Sequence, residues 1–171
     1  MSDPPRTLSV RYFQSMSNDT IGRILVCMDG SEGSAAALRW AISLAKAADA
    51  EVVAVHVLEL PYPLLAPPAG GASLGVGAEV ASFEESYRKQ VEEAFRTVWC
   101  APLLEAGVRY RLKFGEGRPG PTLVEAAEQE HVDLVATGRR GLGSLNELIA
   151  GSVSQYLVHR AHRPVLIVPT P

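Results

Sequence analysis

From residue 22 onward, short apolar runs alternate with longer amphipathic stretches. GRILVCMD, residues 22–29, is a continuous run of mostly branched apolar side chains, which predicts a strand buried on both faces. DGSEGS ends it, and Ser31 or Ser34 is placed to cap the helix that follows. In that helix Ala37, Trp40, Ala41, Leu44 and Ala45 fall on one stripe. EVVAVHVLE is a second strand with no tight hairpin turn before it, as a parallel crossover requires. VRYRLKF alternates between apolar and polar residues, which suits the edge of a sheet better than its centre. DLVATG reads as a fourth strand and PVLIVP as a fifth. PTLVEAAEQEH and SVSQYLVHRAH read as helices, with Pro121 suited to a first turn.

Residues 60–78 break the rhythm. They hold four prolines and four glycines, few charges and no period, and they read as a loop long enough to act as a lid. A long helix is expected over 79–106, with Phe83, Tyr87, Val91, Ala94, Phe95 and Val98 on one face. Pro102 should kink or restart it, and Gly107 should end it.

Strands alternating with helices specify an α/β fold built on a five-stranded, doubly wound parallel sheet with helices on both faces. Ligands of such sheets lie beyond the carboxyl ends of the strands, where the strand order reverses. Two loops fall at such ends: MDGSEGS after the first strand and TGRRGLGS after the fourth.

The second loop carries an unusual glycine spacing, Gly138-x-x-Gly141 and, after nine residues, Gly151-Ser152. Gly138 follows the strand directly and leaves room for a nucleoside against the backbone. Gly141 and Gly143 permit positive φ and exposed backbone N–H groups. Gly151 and Ser152 start the last helix, whose unpaired N–H groups and partial positive charge suit a phosphate, with Ser152 and Ser154 as further donors. The alternative is that each glycine only shapes a loop or caps a helix.

As a set, these residues resemble the ATP-binding motif of the universal stress protein family, G-x-x-G-x9-G-(S/T). The resemblance runs from about Gly22 to Pro169 and includes ILVCMDGSEGSAAALRWA, VVAVHV and HRPVLIVP. It implies a Rossmann-like nucleotide-binding α/β fold with strand order 3-2-1-4-5. It also implies ATP as ligand, with Mg2+ or Mn2+ on the phosphates. By position, Asp29 is implied near the nucleoside, and Val57 at the backbone that reads the adenine edge. Thr137 and Gly138 are implied on the ribose side; Gly141, Gly151, Ser152, Val153 and Ser154 are implied at the phosphates. Cys27 stands where family members often carry proline, and a small apolar residue there still packs against a base.

The remaining features narrow the reading. A net charge of −3, from 16 basic and 19 acidic side chains without a basic patch, argues against a general nucleic-acid binder. Apolar runs of about eight residues fall far short of the ~20 that span a bilayer. Cys27 and Cys100 form no disulfide framework, and a cytoplasmic location is expected. Cys27 is read as structural rather than redox-active. His56 is read as a hydrogen-bonded core residue rather than an acid–base catalyst. His159 and His162 lack the partners of a metal site. Arg139 and Arg140 read equally as a phosphate fork and as a solvated pair, Arg140 having the better case beside Gly141. No catalytic residue is assigned: the P-loop lysine is missing from the sequence, and the G-x-x-G-x-G order of GRRGLG is not the dinucleotide fingerprint.

Residues 1–20 are set aside as an N-terminal tail, in which YFQSM is similar to the end of a cleavable expression linker; a natural tail is the other reading. Residues 21–171 are expected to form one domain. The expected function is an ATP-binding stress-response switch with an unidentified protein partner and at most very slow ATP hydrolysis. A nucleotide-independent interaction module and an adenylyl-handling enzyme remain open beside it. An apolar, uncharged last strand on a sheet edge invites pairing with a second copy, so a homodimer through Val165–Val168 is expected.

Overall fold

The computed structural model describes residues 20–59, 76–141 and 151–170. Its strands are β1 (Arg23–Cys27), β2 (Glu51–Leu58), β3 (Tyr110–Glu116), β4 (Leu134–Gly138) and β5 (Val165–Val168). Its helices are α1 (Glu32–Ala48), α2 (Val76–Ala94), α3 (Ala101–Ala106), α4 (Pro119–Gln129) and α5 (Ser152–Arg160), with a π-helical turn over Phe95–Trp99 between α2 and α3. The sheet is wholly parallel in the order β3-β2-β1-β4-β5, as expected. The alternating strand β3 takes one edge and β5 the other.

Successive strand residues face opposite sides, so each buried strand feeds two cores. Ile24, Val26, Val52 and Ala54 pack with α1, α3 and the π turn. Leu25, Cys27, Val53 and Val55 pack with α4 and α5 through Leu123, Ala127 and Leu157. Burial on both faces explains why β1 and β2 read as unbroken apolar runs.

Helix α1 starts where Ser31 accepts from the Ser34 backbone N–H at 3.1 Å. Its buried face is Ala37, Leu38, Ala41 and Ala45, whereas Trp40 is 55% exposed, contrary to the expected stripe. The reason is close approach. A Cβ on Gly138 would lie 2.5 Å from the Gly33 carbonyl carbon, so the helix touches β4 along a seam of small residues that has no room for an indole.

The expected helix over 79–106 restarts around Pro102 and ends at Gly107 as expected, while its start and its facing are corrected. It begins at Val76 and breaks at Cys100, and Pro102 lies in the first turn of α3. The π turn adds a residue to the winding and shifts the phase of everything after it. Cys100 and Leu103 therefore face the core with Phe95, while Val98 is exposed; Phe83, upstream of the turn, is exposed as well. The loop expected over 60–78 lies outside the described residues except for its last three positions, which are helical.

At the N-terminal ends of β1, β2 and β3, opposite the ligand side, charges are stitched together. Glu51 accepts from Arg23 and Arg111, each at 2.9 Å. Glu130 pairs with Arg111 at 2.8 Å and with Lys113. Lys113 does most to hold the Glu130 carboxyl below the usual range; burial opposes it and Arg111 and Arg23 assist. For Glu51 burial is the largest single influence and pushes upward, but the bonds and charges of Arg111 and Arg23 together outweigh it.

Both carboxyls titrate lower in the folded chain than in the unfolded one. Their contribution is thus complete above the unfolded value of about 4.3 and disappears as pH falls through the folded value. Glu130→Gln should cost about 1–2 kcal/mol at neutral pH. The gap between variant and wild type in urea denaturation should close on acidification below about pH 4. A gap independent of pH would show that the carboxylate charge contributes nothing.

Candidate functional site

A cavity of about 760 Å³ opens at the carboxyl ends of β1, β2 and β4. One wall is the β1–α1 loop. Its carboxylate is fixed, because Asp29 Oδ1 accepts from the Ser31 backbone N–H at 3.0 Å and from the Ser31 hydroxyl at 2.6 Å. Ser31 in turn caps α1, so the position of Asp29 and the start of that helix depend on one serine. Gly30 turns the chain with φ 80°, and the Trp99 ring lies over it so closely that a Cβ there would sit 2.6 Å from the indole.

The opposing wall is the segment after β4. A Cβ on Gly141 would stand 2.3 Å from Asp29 Oδ2, so the two loops that the sequence singles out touch one another. The Arg139 carbonyl accepts from the Gly151 N–H at 2.8 Å and from the Ser154 hydroxyl at 3.2 Å. Ser154 also donates to the Gly151 carbonyl at 2.8 Å. These bonds hold the Arg139 backbone against the start of α5. The start of α5 then faces the cavity through Ser152 and Val153, with the unpaired N–H groups of a first helical turn.

The floor is the end of the sheet. Met28 N–H donates to the Val55 carbonyl at 2.9 Å, after which β1 is finished. Alternate residues of a strand aim their backbone groups at the same neighbour. Val57 therefore directs its N–H and C=O to the side where β1 no longer runs. Burial pushes the Cys27 thiol up to about 12, against a lowering bond from Thr137 and with a smaller upward push from Asp29. A thiol held there stays protonated and inert at neutral pH, consistent with a structural Cys27. His56 is buried, with Nδ1 2.7 Å from the Met28 carbonyl, the hydrogen-bonded core residue expected.

Of the twelve site residues expected from sequence, eleven line this one cavity: Cys27, Asp29 and Val57 from the first two strands and their ends, Thr137, Gly138, Arg140 and Gly141 at the end of β4 and just beyond it, and Gly151, Ser152, Val153 and Ser154 at the start of α5. Arg140 lines it and Arg139 does not. Gly143 lies outside the described residues. Three of the expected reasons change. Gly138 is small because Gly33 presses on it. Gly141 has no left-handed φ and is small because of Asp29. The Ser154 hydroxyl is spent on backbone carbonyls rather than turned outward.

The sequence reading missed Tyr87, Val91 and Trp99 on the α2 side and Pro119 and Leu123 on α4. Trp99 follows Phe95 by four residues, a spacing that signals a shared face, but the unanticipated π turn hid which face that was.

The chain matches the universal stress protein family over residues 20–169. It is 34% identical over 149 residues to a universal stress protein of Methanocaldococcus jannaschii, covering 87% of this chain and 82% of that one. Its fold is similar to a universal stress protein solved in complex with cAMP, at 22% identity and TM-score 0.56, covering 89% and 99% of the two chains. It is also similar to a universal stress protein family protein of Arabidopsis thaliana with AMP bound, at 18% identity and TM-score 0.55, covering 88% and 92%. With family, sheet order and cavity in agreement, the chain belongs to the universal stress protein family.

Proposed function

We propose that the chain is an ATP-binding regulatory protein of the cytoplasm, a nucleotide-dependent switch with at most very slow hydrolysis. The convergence of the Asp29 loop, the Val57 backbone edge and the α5 N-terminus on one cavity carries this reading. The base would lie against Cys27 and Val57, where Val57 offers both a donor and an acceptor to an adenine edge. The fixed Asp29 carboxylate suits ribose hydroxyls, which donate to it. The N–H groups of Ser152 and Val153 suit phosphate oxygens. Two folds of the same kind hold AMP and cAMP, which share the adenine nucleoside and a phosphate.

Among the described residues no three His, Cys, Asp or Glu side chains converge as metal ligands. A Mg2+ or Mn2+ ion would therefore ride on the phosphates and supply charge neutralisation there. Asp29 is tied to Ser31 and directs the cap of α1, a poor arrangement for activating a water molecule. That favours a switch over an ATPase.

The reading extends to assembly. Strand β5 lies on the edge with Val165, Leu166 and Ile167 half-buried, and pairing with a second copy would cover its open backbone groups. We propose a two-fold homodimer through Val165–Val168, with an unidentified protein partner reading the nucleotide state. Among the described residues no helix is long and apolar enough to cross a membrane.

Three outcomes are expected. Gly151 has φ −60° and ψ 154°, which any residue adopts, and a Cβ there meets its nearest neighbour at 3.4 Å. Gly151→Val should therefore fold yet bind ATP at least ~10-fold more weakly by calorimetry, a loss of about 1.4 kcal/mol; unchanged affinity would remove α5 from the phosphate site.

Asp29→Asn keeps an acceptor for Ser31 and removes the charge, whereas Asp29→Ala removes both and should cost a further ~1 kcal/mol of stability through the lost cap anchor. Both should weaken ATP, ADP and AMP by similar factors. A loss confined to ATP would move Asp29 to the phosphate end.

Val165→Lys combined with Ile167→Lys should give monomeric or insoluble protein. A soluble, unchanged dimer in light scattering would place the interface elsewhere.

A further inference from the structure

His56 has one nitrogen in use and one idle. A carbonyl oxygen only accepts, so the 2.7 Å contact with Met28 fixes the hydrogen on Nδ1 and leaves Nε2 of the neutral ring as a lone pair. Nε2 is buried without a hydrogen-bond partner among the described residues, in a side chain only 8% exposed. Three aromatic rings enclose it. Trp99 stands edge-on with centroids 5.1 Å apart, Phe114 lies at 5.3 Å and Phe95 at 5.9 Å. Phe95 and Trp99 are both supplied by the π turn, and a π turn is often retained where a function needs it.

The box is coupled to the cavity from two sides. His56 holds the Met28 carbonyl, the peptide that leads into Asp29, and Trp99 lies directly on Gly30, the residue after it. A second proton would place an N–H on Nε2 with no acceptor in reach. Among the described groups packed around the ring, those from the π turn and β3 are uncharged aromatics, and Asp29 from the β1–α1 loop is the one charge among the described residues whose field acts on it. Burial holds the imidazole below its ordinary value; the Met28 bond and the Asp29 charge only partly offset this. The ring is therefore neutral at neutral pH. The closed box is complete above the usual histidine value of about 6.5 and opens as pH falls through the lower folded value.

We propose that His56 is a proton-sensitive latch on the ligand loop: neutral, it holds the Met28–Asp29 peptide beneath Trp99, and a proton on Nε2 drives Trp99 off Gly30 and weakens ligand binding. The ligand half of this inference rests on the nucleotide reading above. By reciprocity, a ligand that needs the closed loop opposes protonation of His56. Acid and nucleotide then act on the same switch in opposite senses.

The chain has two tryptophans, so in a Trp40→Phe background Trp99 is the sole indole reporter. Its fluorescence, followed in ligand-free protein from about pH 8 to about pH 5, should show a one-proton transition below 6.5 while far-UV circular dichroism stays constant. His56→Asn places an amide donor where Nδ1 stands and removes the titrating nitrogen, so the transition should vanish. The Kd for ATP, referred for each protein to its own value at about pH 7.5, should rise by up to ~10-fold per pH unit below the transition and should rise less in His56→Asn. Should His56→Asn fail to fold, His56→Gln, whose amide reaches the Nε2 rather than the Nδ1 position, also removes the titrating ring, and the transition should vanish there too. A transition that persists in the variant, its absence from the wild type, or a loss of circular dichroism in step with it overturns the latch. ATP that binds at no pH overturns the nucleotide reading instead, and the Trp99 titration still decides whether the latch exists.

Discussion

Gly33 and Gly138 meet backbone to backbone, and the architecture of the cavity depends on that contact. A Cβ on Gly33 would stand 2.4 Å from the Arg140 carbonyl oxygen, and one on Gly138 would stand 2.5 Å from Gly33. The first turn of α1 is thereby pressed into the end of β4 and the chain just beyond it. Because Ser31 both caps that turn and fixes Asp29, pressing α1 onto β4 also sets the Asp29 carboxylate against Gly141. Interiors pack too densely for such an approach to tolerate even one methyl group without a shift of backbone. Small residues at both positions are thus a requirement of geometry, and a ligand is only its beneficiary.

The two ends of the sheet divide the labour. At the amino ends, Arg23, Arg111 and Lys113 surround Glu51 and Glu130, and Asp133 receives the N–H groups of Gly22 and Arg23 at 2.8 and 2.9 Å. That end is closed by complementary charge. At the carboxyl ends, the first turns of α1 and α5 bring N–H groups toward a shared space, and the local partial charges add rather than cancel. A parallel sheet produces this asymmetry automatically, since every helix returns in the same direction.

The strands and the loops that meet at the cavity were legible in the sequence because they rest on features with short-range signatures, whereas the sheet order came from the family resemblance. Unbroken apolar runs mark the central strands, alternation marks β3 as an edge, and glycines mark the places where loops approach each other. What could not be read is phase. The π turn at Phe95–Trp99 has no compositional mark, and one added residue was enough to turn Trp99 toward the cavity and Val98 toward solvent. Trp40 fails for a related reason. Helical periodicity placed it on a stripe with Ala37 and Ala41, but only the contact with β4 decides which side of that stripe is inward. The glycines teach the complementary lesson: their positions were informative although the reasons assigned to Gly138 and Gly141 were not the operative ones.

One residue joins the cavity to the edge of the sheet. The Arg139 N–H donates to the Val168 carbonyl at 2.8 Å, and its carbonyl receives the Gly151 N–H and the Ser154 hydroxyl. The last residue of β5 and the first turn of α5 are therefore held by the two backbone polar groups of one residue, on either side of its Cα. The start of α5 and the end of β5 are thus tied to one another through a single residue. Whatever pairs with β5 constrains the frame in which α5 begins. Coupling between a ligand site and a sheet edge requires no long path in this fold, because β4 lies between them and a single residue past its end touches both.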